Sequence, residues 1–276
     1  NLDTAVVFMT PVLLHAARRR GLRDDAFLYG AVFMANAASL LLPGANLTNL
    51  IVLAHDPVSG ITFAERFAAA WAVSVAITMV FVAFVFRRSL ARGVAPDDGE
   101  FARLRPGPGT LGVVAAAALV LALSRPALPV LALGVAVAVV ARLGVRRVLH
   151  AANPVLLLGV LGLAVLLGTA ARAWSVQLLE HAGRWETAWI AAGASVVVNN
   201  LPAAVVLSAH LPAHPRALLL GLDLGPNLAV TGSLAAVLWL QVARAAGARP
   251  SIVRYSLLGL ALVPLTLVSS LLVNAV

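Results

Sequence analysis

The chain has 276 residues, 61% hydrophobic and 11% charged, with a mean hydropathy of +0.97. That composition excludes a soluble domain of this size and points to an all-α polytopic membrane protein. The net charge of +9 comes from arginine without any lysine, and the arginines cluster between apolar runs as positive-inside loops do, so no nucleic-acid partner is implied. With no cysteine, disulfides, thiolate metal sites and thiol redox chemistry are excluded for this chain.

Taken in order, Asn1 to Ala16 is apolar apart from Asn1, Asp3, Thr4, Thr10 and His15. At about 15 residues it is short for a span and suits one arm of a re-entrant hairpin. It begins without Met directly in an apolar segment, so an upstream portion is expected. Arg18, Arg19, Arg20 and Arg23 follow. Residues 26–54 form a long apolar run interrupted by Pro43-Gly44-Ala45-Asn46 and by Thr48-Asn49, which predicts a broken helix. Residues 63–86 read as an unbroken span, and 87–109 as a hydrophilic cytoplasmic linker with five arginines and three acids. Three scaffold spans come next, near Thr110–Leu123, Leu128–Ala141 and Ala152–Gly168. Thr169 to Trp185 is amphipathic, and with Trp174 it suits the membrane interface. Residues 186–209 read as a hairpin with the polar tip Asn199-Asn200-Leu201-Pro202. Residues 216–240 read as a second broken helix, interrupted at Gly225-Pro226-Asn227 and Thr231-Gly232-Ser233, and 252–275 as the final span.

Two short patterns recur. Asn1-Leu2-x-x-Ala5-Val6-Val7 matches Asn200-Leu201-x-x-Ala204-Val205-Val206, and Gly44-x-Asn46-Leu47 matches Gly225-x-Asn227-Leu228. The loop at 17–25 has four arginines and the equivalent loop at 210–216 has one, so the two halves are expected to run in opposite orientations. Residues 1–86 then form the closing part of a first inverted repeat, and 110–276 the second repeat. Three helices and a hairpin arm are expected before Asn1 in the intact protein.

Polar residues gather at the breaks: Asn1, Asp3 and Thr4; Asn46, Thr48 and Asn49; Asn199 and Asn200; Asp223, Asn227, Thr231 and Ser233. Half-helix ends offer free N–H and C=O groups that hold polar solutes or cations at the membrane midplane. The same residue types are preferred helix caps, so capping is the competing role for each. Asp223 is the acid set deepest in an apolar span, and an intramembrane carboxyl is a functional candidate, here as a proton carrier. Its competing role is to cap a helix starting at Pro226. Asn36 and Ser39 precede the first break and either face the site or bridge helices.

Other motifs carry no chemistry. Gly107-x-Gly109-x-x-Gly112 has dinucleotide-loop spacing but no strand before it, and Pro212 and Pro215 spoil the metal spacing of His210 and His214. There is no P-loop and no nucleophile–base or metal constellation, so neither a cofactor nor enzymatic turnover is expected. Energy for any transport comes from an ion gradient or another subunit.

The stretch Phe33-Met-Ala-Asn-Ala-Ala-Ser-Leu-Leu-Leu-Pro-Gly-Ala-Asn-Leu-Thr-Asn-Leu50 resembles the first broken-helix signature of the arsenical pump membrane proteins. Asn199-Asn-Leu-Pro-Ala203 and Gly225-Pro-Asn-Leu-Ala-Val-Thr-Gly-Ser233, with Leu238-Trp239, resemble the second-half signatures. The wider group is the ion transporter superfamily. The resemblance implies an elevator-like carrier in a bacterial inner membrane, with two hairpins and two broken helices around one site. It implies arsenite or antimonite efflux against proton influx, with a partner ATPase in some members; a homodimer also stays open. Asp223 stands where a neutral residue is usual, and Ala229-Val230 replaces a polar-proline pair. Sodium-coupled anion or dicarboxylate carriage and sodium/proton antiport remain alternatives, as does a channel or non-transporting scaffold subunit.

Overall fold

The structure is a computed structural model. It describes residues 2–54, 57–91, 108–123, 127–146, 179–210 and 212–274, with isolated positions between 148 and 169. Asn1, most of the 87–109 linker, most of the third scaffold span and Trp174 lie outside the described residues. Among the described residues every element is helical. In order they are α1 (Leu2–Arg19), α2 (Asp25–Ala38), α3 (Leu47–Val52), α4 (Gly60–Val85), α5 (Arg87–Leu90), α6 (Pro108–Ala122), α7 (Ala127–Val140), α8 (Arg184–Val198), α9 (Asn200–Leu207), α10 (Pro215–Leu224), α11 (Leu234–Ala245) and α12 (Ile252–Val273).

Two helices, α4 and α12, are long and apolar enough to cross a membrane. On α4 the buried residues Phe63, Phe67, Ala70, Ser74 and Thr78 recur every three or four positions and so form one stripe. Much of the remaining surface is apolar as well: Phe84 on α4 and Leu260 on α12 are each 65% exposed. Faces this apolar suit contact with lipid rather than water. Together with the short apolar helices, they point to a membrane protein.

Proline and glycine chemistry explains the interruptions. Leu42 is extended at φ −131°, as a residue before proline prefers, and Pro43 starts a 3-10 turn running to Ala45. Asn46 is extended as well, and α3 begins after it. In the second case α10 gives way to a 3-10 turn at Gly225–Leu228, which contains Pro226, and to another at Val230–Gly232. Ala229 and Ser233, both extended, flank the latter. Helices α8 and α9 meet at Asn199 alone, with 15 and 8 residues respectively. At about 1.5 Å per residue neither alone crosses a hydrocarbon core of about 30 Å, and the two helices pack against each other across Asn199.

The buried apolar side chains form two clusters. One joins Leu40, Phe63 and Phe67 to Leu218, Leu224 and Leu267. The other joins Val6 and Leu14 to an aromatic group of Tyr29, Phe33, Phe86, Trp239 and Tyr255. Tyr29 and Phe86 stack at 5.9 Å, and Trp239 and Tyr255 sit 5.4 Å apart. The second break lies between the clusters, since Leu224 belongs to one and Val230 to the other.

Arginine-bearing turns are tied together at one end of the molecule. Arg18 pairs with Asp24 at 2.6 Å and donates to the Ala246 carbonyl at 2.7 Å. Arg254 pairs with Asp25 at 3.0 Å, and the Ser251 N–H donates to the Tyr29 hydroxyl at 3.0 Å. The 20–24 turn, the end of α4 and the 246–251 turn therefore share one face. The 210–214 turn, at the far end of α10, lies at the other.

Candidate functional site

Where the two broken helices cross, their polar side chains bond to each other. Asn46 Nδ2 donates to Asp223 Oδ1 at 2.7 Å, joining the first break to the end of α10. Asn36 Nδ2 donates to Asn227 Oδ1 at 2.7 Å, joining α2 to the second break. Asn200, at the hairpin tip, donates to Thr48 Oγ1 at 3.4 Å, and Asn49 donates to the Ser39 carbonyl at 3.3 Å. Asn36, Thr48, Asn49, Asp223 and Asn227 are fully buried. This is one polar centre made by three segments far apart in sequence: the first break, the second break and the hairpin tip.

Three acceptor oxygens in this centre have no hydrogen-bond partner among the described residues: Asp223 Oδ2, Asn49 Oδ1 and Asn36 Oδ1. Ser39, Asn46 and Asn49 stand beside the Asp223 carboxyl, so its immediate neighbours are neutral amides and a hydroxyl. A buried acceptor left unmade costs about 1–3 kcal/mol, more for a charged group. The centre is therefore rich in acceptors and is matched by a proton, a cation or the hydroxyls of a solute.

Capping explains part of the polar pattern and not the rest. Asn46 Oδ1 accepts from the Thr48 N–H at 3.2 Å, Asn199 Oδ1 from the Leu201 N–H at 3.3 Å and Ser233 Oγ from the Ala236 N–H at 3.1 Å. Asn46 caps α3 and bridges to Asp223 at once. Asp223 caps nothing: the helix continues past it to Leu224, and the following 3-10 turn has no side-chain cap. Thr231 is exposed; its hydroxyl donates to the Val196 carbonyl at 3.1 Å while Asn199 donates to the Thr231 carbonyl at 3.0 Å, which fastens the hairpin tip to the second break.

At the start of α1, Asp3 is half-buried and Thr4 exposed. Leu2 and Val6 pack in the cluster that contains Val230, so this end of α1 lies beside the second break. Asn36 and Ser39 belong to the centre, Asn36 as a bridge. Sequence reasoning missed two supports. Tyr255 donates from its hydroxyl to the Pro226 carbonyl at 3.1 Å, giving the unwound backbone a partner. Gly259 lies so close beneath the Asn227 carbonyl that a Cβ there would collide with it. A tyrosine within the apolar run of α12 was the available signal for the first; the second left none.

A family model described as citrate transporter matches residues 1–229. No curated protein and no solved structure matches the chain.

Proposed function

The chain belongs to the citrate transporter family, and from that premise we propose that it is an ion-coupled secondary transporter of small carboxylates. The buried Asn46–Asp223 bond between the two broken helices carries the reading. It puts an ionisable group where the half-helices and the hairpin tip meet, the place where carriers with discontinuous helices hold solute and coupling ion. Protonation of Asp223 Oδ2 supplies the donor that this acceptor-rich centre lacks. Asn227, Asn200 and Thr48 present neutral groups to the solute, and the start of α11 contributes the positive end of a helix dipole. The repeated break patterns and the polar centre support an inverted-repeat arrangement.

A second reading, arsenite or antimonite efflux with proton influx, is favoured by one observation. Among the described residues, the groups beside Asp223 are uncharged, and none is the arginine that a carboxylate would recruit. A neutral trihydroxide such as arsenous acid needs only amides and hydroxyls. The two readings separate in everted membrane vesicles energised with a pH gradient, offered labelled citrate or arsenite. Citrate movement that arsenite does not compete supports the first reading. Arsenite accumulation without citrate movement would sink it in favour of the second.

A further inference from the structure

All three methionines of the chain, Met9, Met34 and Met79, line one groove of about 640 Å³ on the outer face of α1, α2 and α4. Helix α2 packs against both α1 and α4, and small residues on it, Gly30, Ala31 and Ala35, leave the space open. Met9 on α1 and Met79 on α4 are exposed, and Met34 on α2 is half-buried. Methionine is unbranched and adapts to irregular apolar partners. The exposed positions elsewhere on α4 and α12 carry aromatic or branched side chains such as Phe84 and Leu260. Ala26 and Ala38 both line the groove, so it follows α2 for about 18 Å. That is close to one leaflet of a hydrocarbon core of about 30 Å. One end lies at Ala38, next to Ser39 of the polar centre; the other, at Ala26 and Leu90, lies at the arginine-bearing turns. Residues 17–25 and 86–90 hold six arginines and two acids. Both acids are engaged, Asp24 by Arg18 and Asp25 by Arg23 and Arg254. Arg20 and Arg88 are exposed and pair with no acid among the described residues.

We propose that the groove holds an acyl chain of an anionic phospholipid, with the headgroup on Arg20 and Arg88. Its length suits a chain from one leaflet, and its lining offers that chain no polar group. The methionines shape themselves to the kinks of a mobile hydrocarbon, which branched side chains do poorly. The excess of arginine at the mouth selects the sign of the headgroup, as basic segments at a membrane surface do. A guanidinium offers a phosphate two parallel hydrogen bonds, and Arg20 and Arg88 have no acid to give up first. Arg20 stands in the turn joining α1 to α2, and Arg88 in α5, whose Leu90 closes the end of the groove. The tail of the lipid then reaches the level of the polar centre. The proposal rests on the membrane reading and not on which solute is carried, and binding is read without transport.

The test uses the full chain in nanodiscs of phosphatidylcholine, with its methionine methyl groups followed by NMR and assigned through M9L, M34L and M79L. The probe is phosphatidylglycerol carrying a spin label on its acyl chain, compared with phosphatidylcholine labelled in the same way. Labelled phosphatidylglycerol is expected to broaden the Met34 signal saturably, at a mole fraction where labelled phosphatidylcholine has little effect. R20Q/R88Q should weaken that response about tenfold, and R20K/R88K should keep most of it. A31F, which fills the groove, should abolish it. If the two labelled lipids broaden Met34 alike, if neither reaches it because another part of the protein covers the groove, or if R20Q/R88Q responds as the unmodified chain does, the proposal is overturned.

Discussion

Asp223 was legible in the sequence as an acid out of place, but its role was not. Counting residues left capping and coupling equally open, because an aspartate just before Gly-Pro suits both. Only the fold shows that its partner is Asn46, 177 positions away. Hydrogen bonds between residues so distant leave no periodic trace in a single sequence, which is also why the Asn36–Asn227 pair could not be foreseen. Replacing Asn46 with Ala removes both a cap and the Asp223 donor. The expected cost is about 1–3 kcal/mol in detergent unfolding experiments, with loss of transport. An unchanged melting temperature and full transport would show that the bond matters to neither. Asn199, at φ +77° and ψ 148°, holds backbone angles that favour glycine. N199A should therefore destabilise more than N199G, since both lose the cap and the Thr231 contact but only alanine adds strain. Thermal unfolding of the two variants, compared side by side, checks this, and equal losses would refute it.

At the scale of elements, the sequence announced its interruptions well. Both broken helices and the hairpin tip appear where Pro, Gly and Asn cluster, because those residues change backbone geometry locally. What it could not reveal is how the unwound segments are held. That work falls to α12, which read as a plain final span. Its Tyr255 hydroxyl satisfies the Pro226 carbonyl, and its Gly259 lets the helix pass directly under Asn227. Close backbone approach leaves no signature beyond an ordinary glycine. G259A should force α12 away from the second break and cost about 1–3 kcal/mol or more, as overpacking does. Y255F should cost less, on the order of 1–2 kcal/mol, by leaving a buried carbonyl unpaired. Denaturant titrations would rank the two, and the reverse order would contradict the account of what braces the break.

For the whole molecule, the arginine turns were the most readable feature. The fold gathers the 18–24, 86–88 and 244–254 regions at one end and sets the 210–214 turn at the other, and the charge bias proposes the first end as the cytoplasmic one. The absence of native cysteine makes the orientation directly measurable. A single R20C variant should react with a membrane-impermeant maleimide only in inside-out vesicles, and A213C only in right-side-out ones. Labelling of both from the same side would overturn the arrangement.

The central claim is that solute movement is driven by an ion gradient through Asp223. Accumulation of labelled citrate by proteoliposomes under an imposed pH gradient tests it most directly, with D223N as the paired sample. The account predicts accumulation above equilibrium for the unmodified chain, abolished by a protonophore. In D223N, solute should only equilibrate, or fail to enter, while the protein stays folded. Accumulation that ignores the pH gradient, or that persists unchanged in D223N, would contradict it.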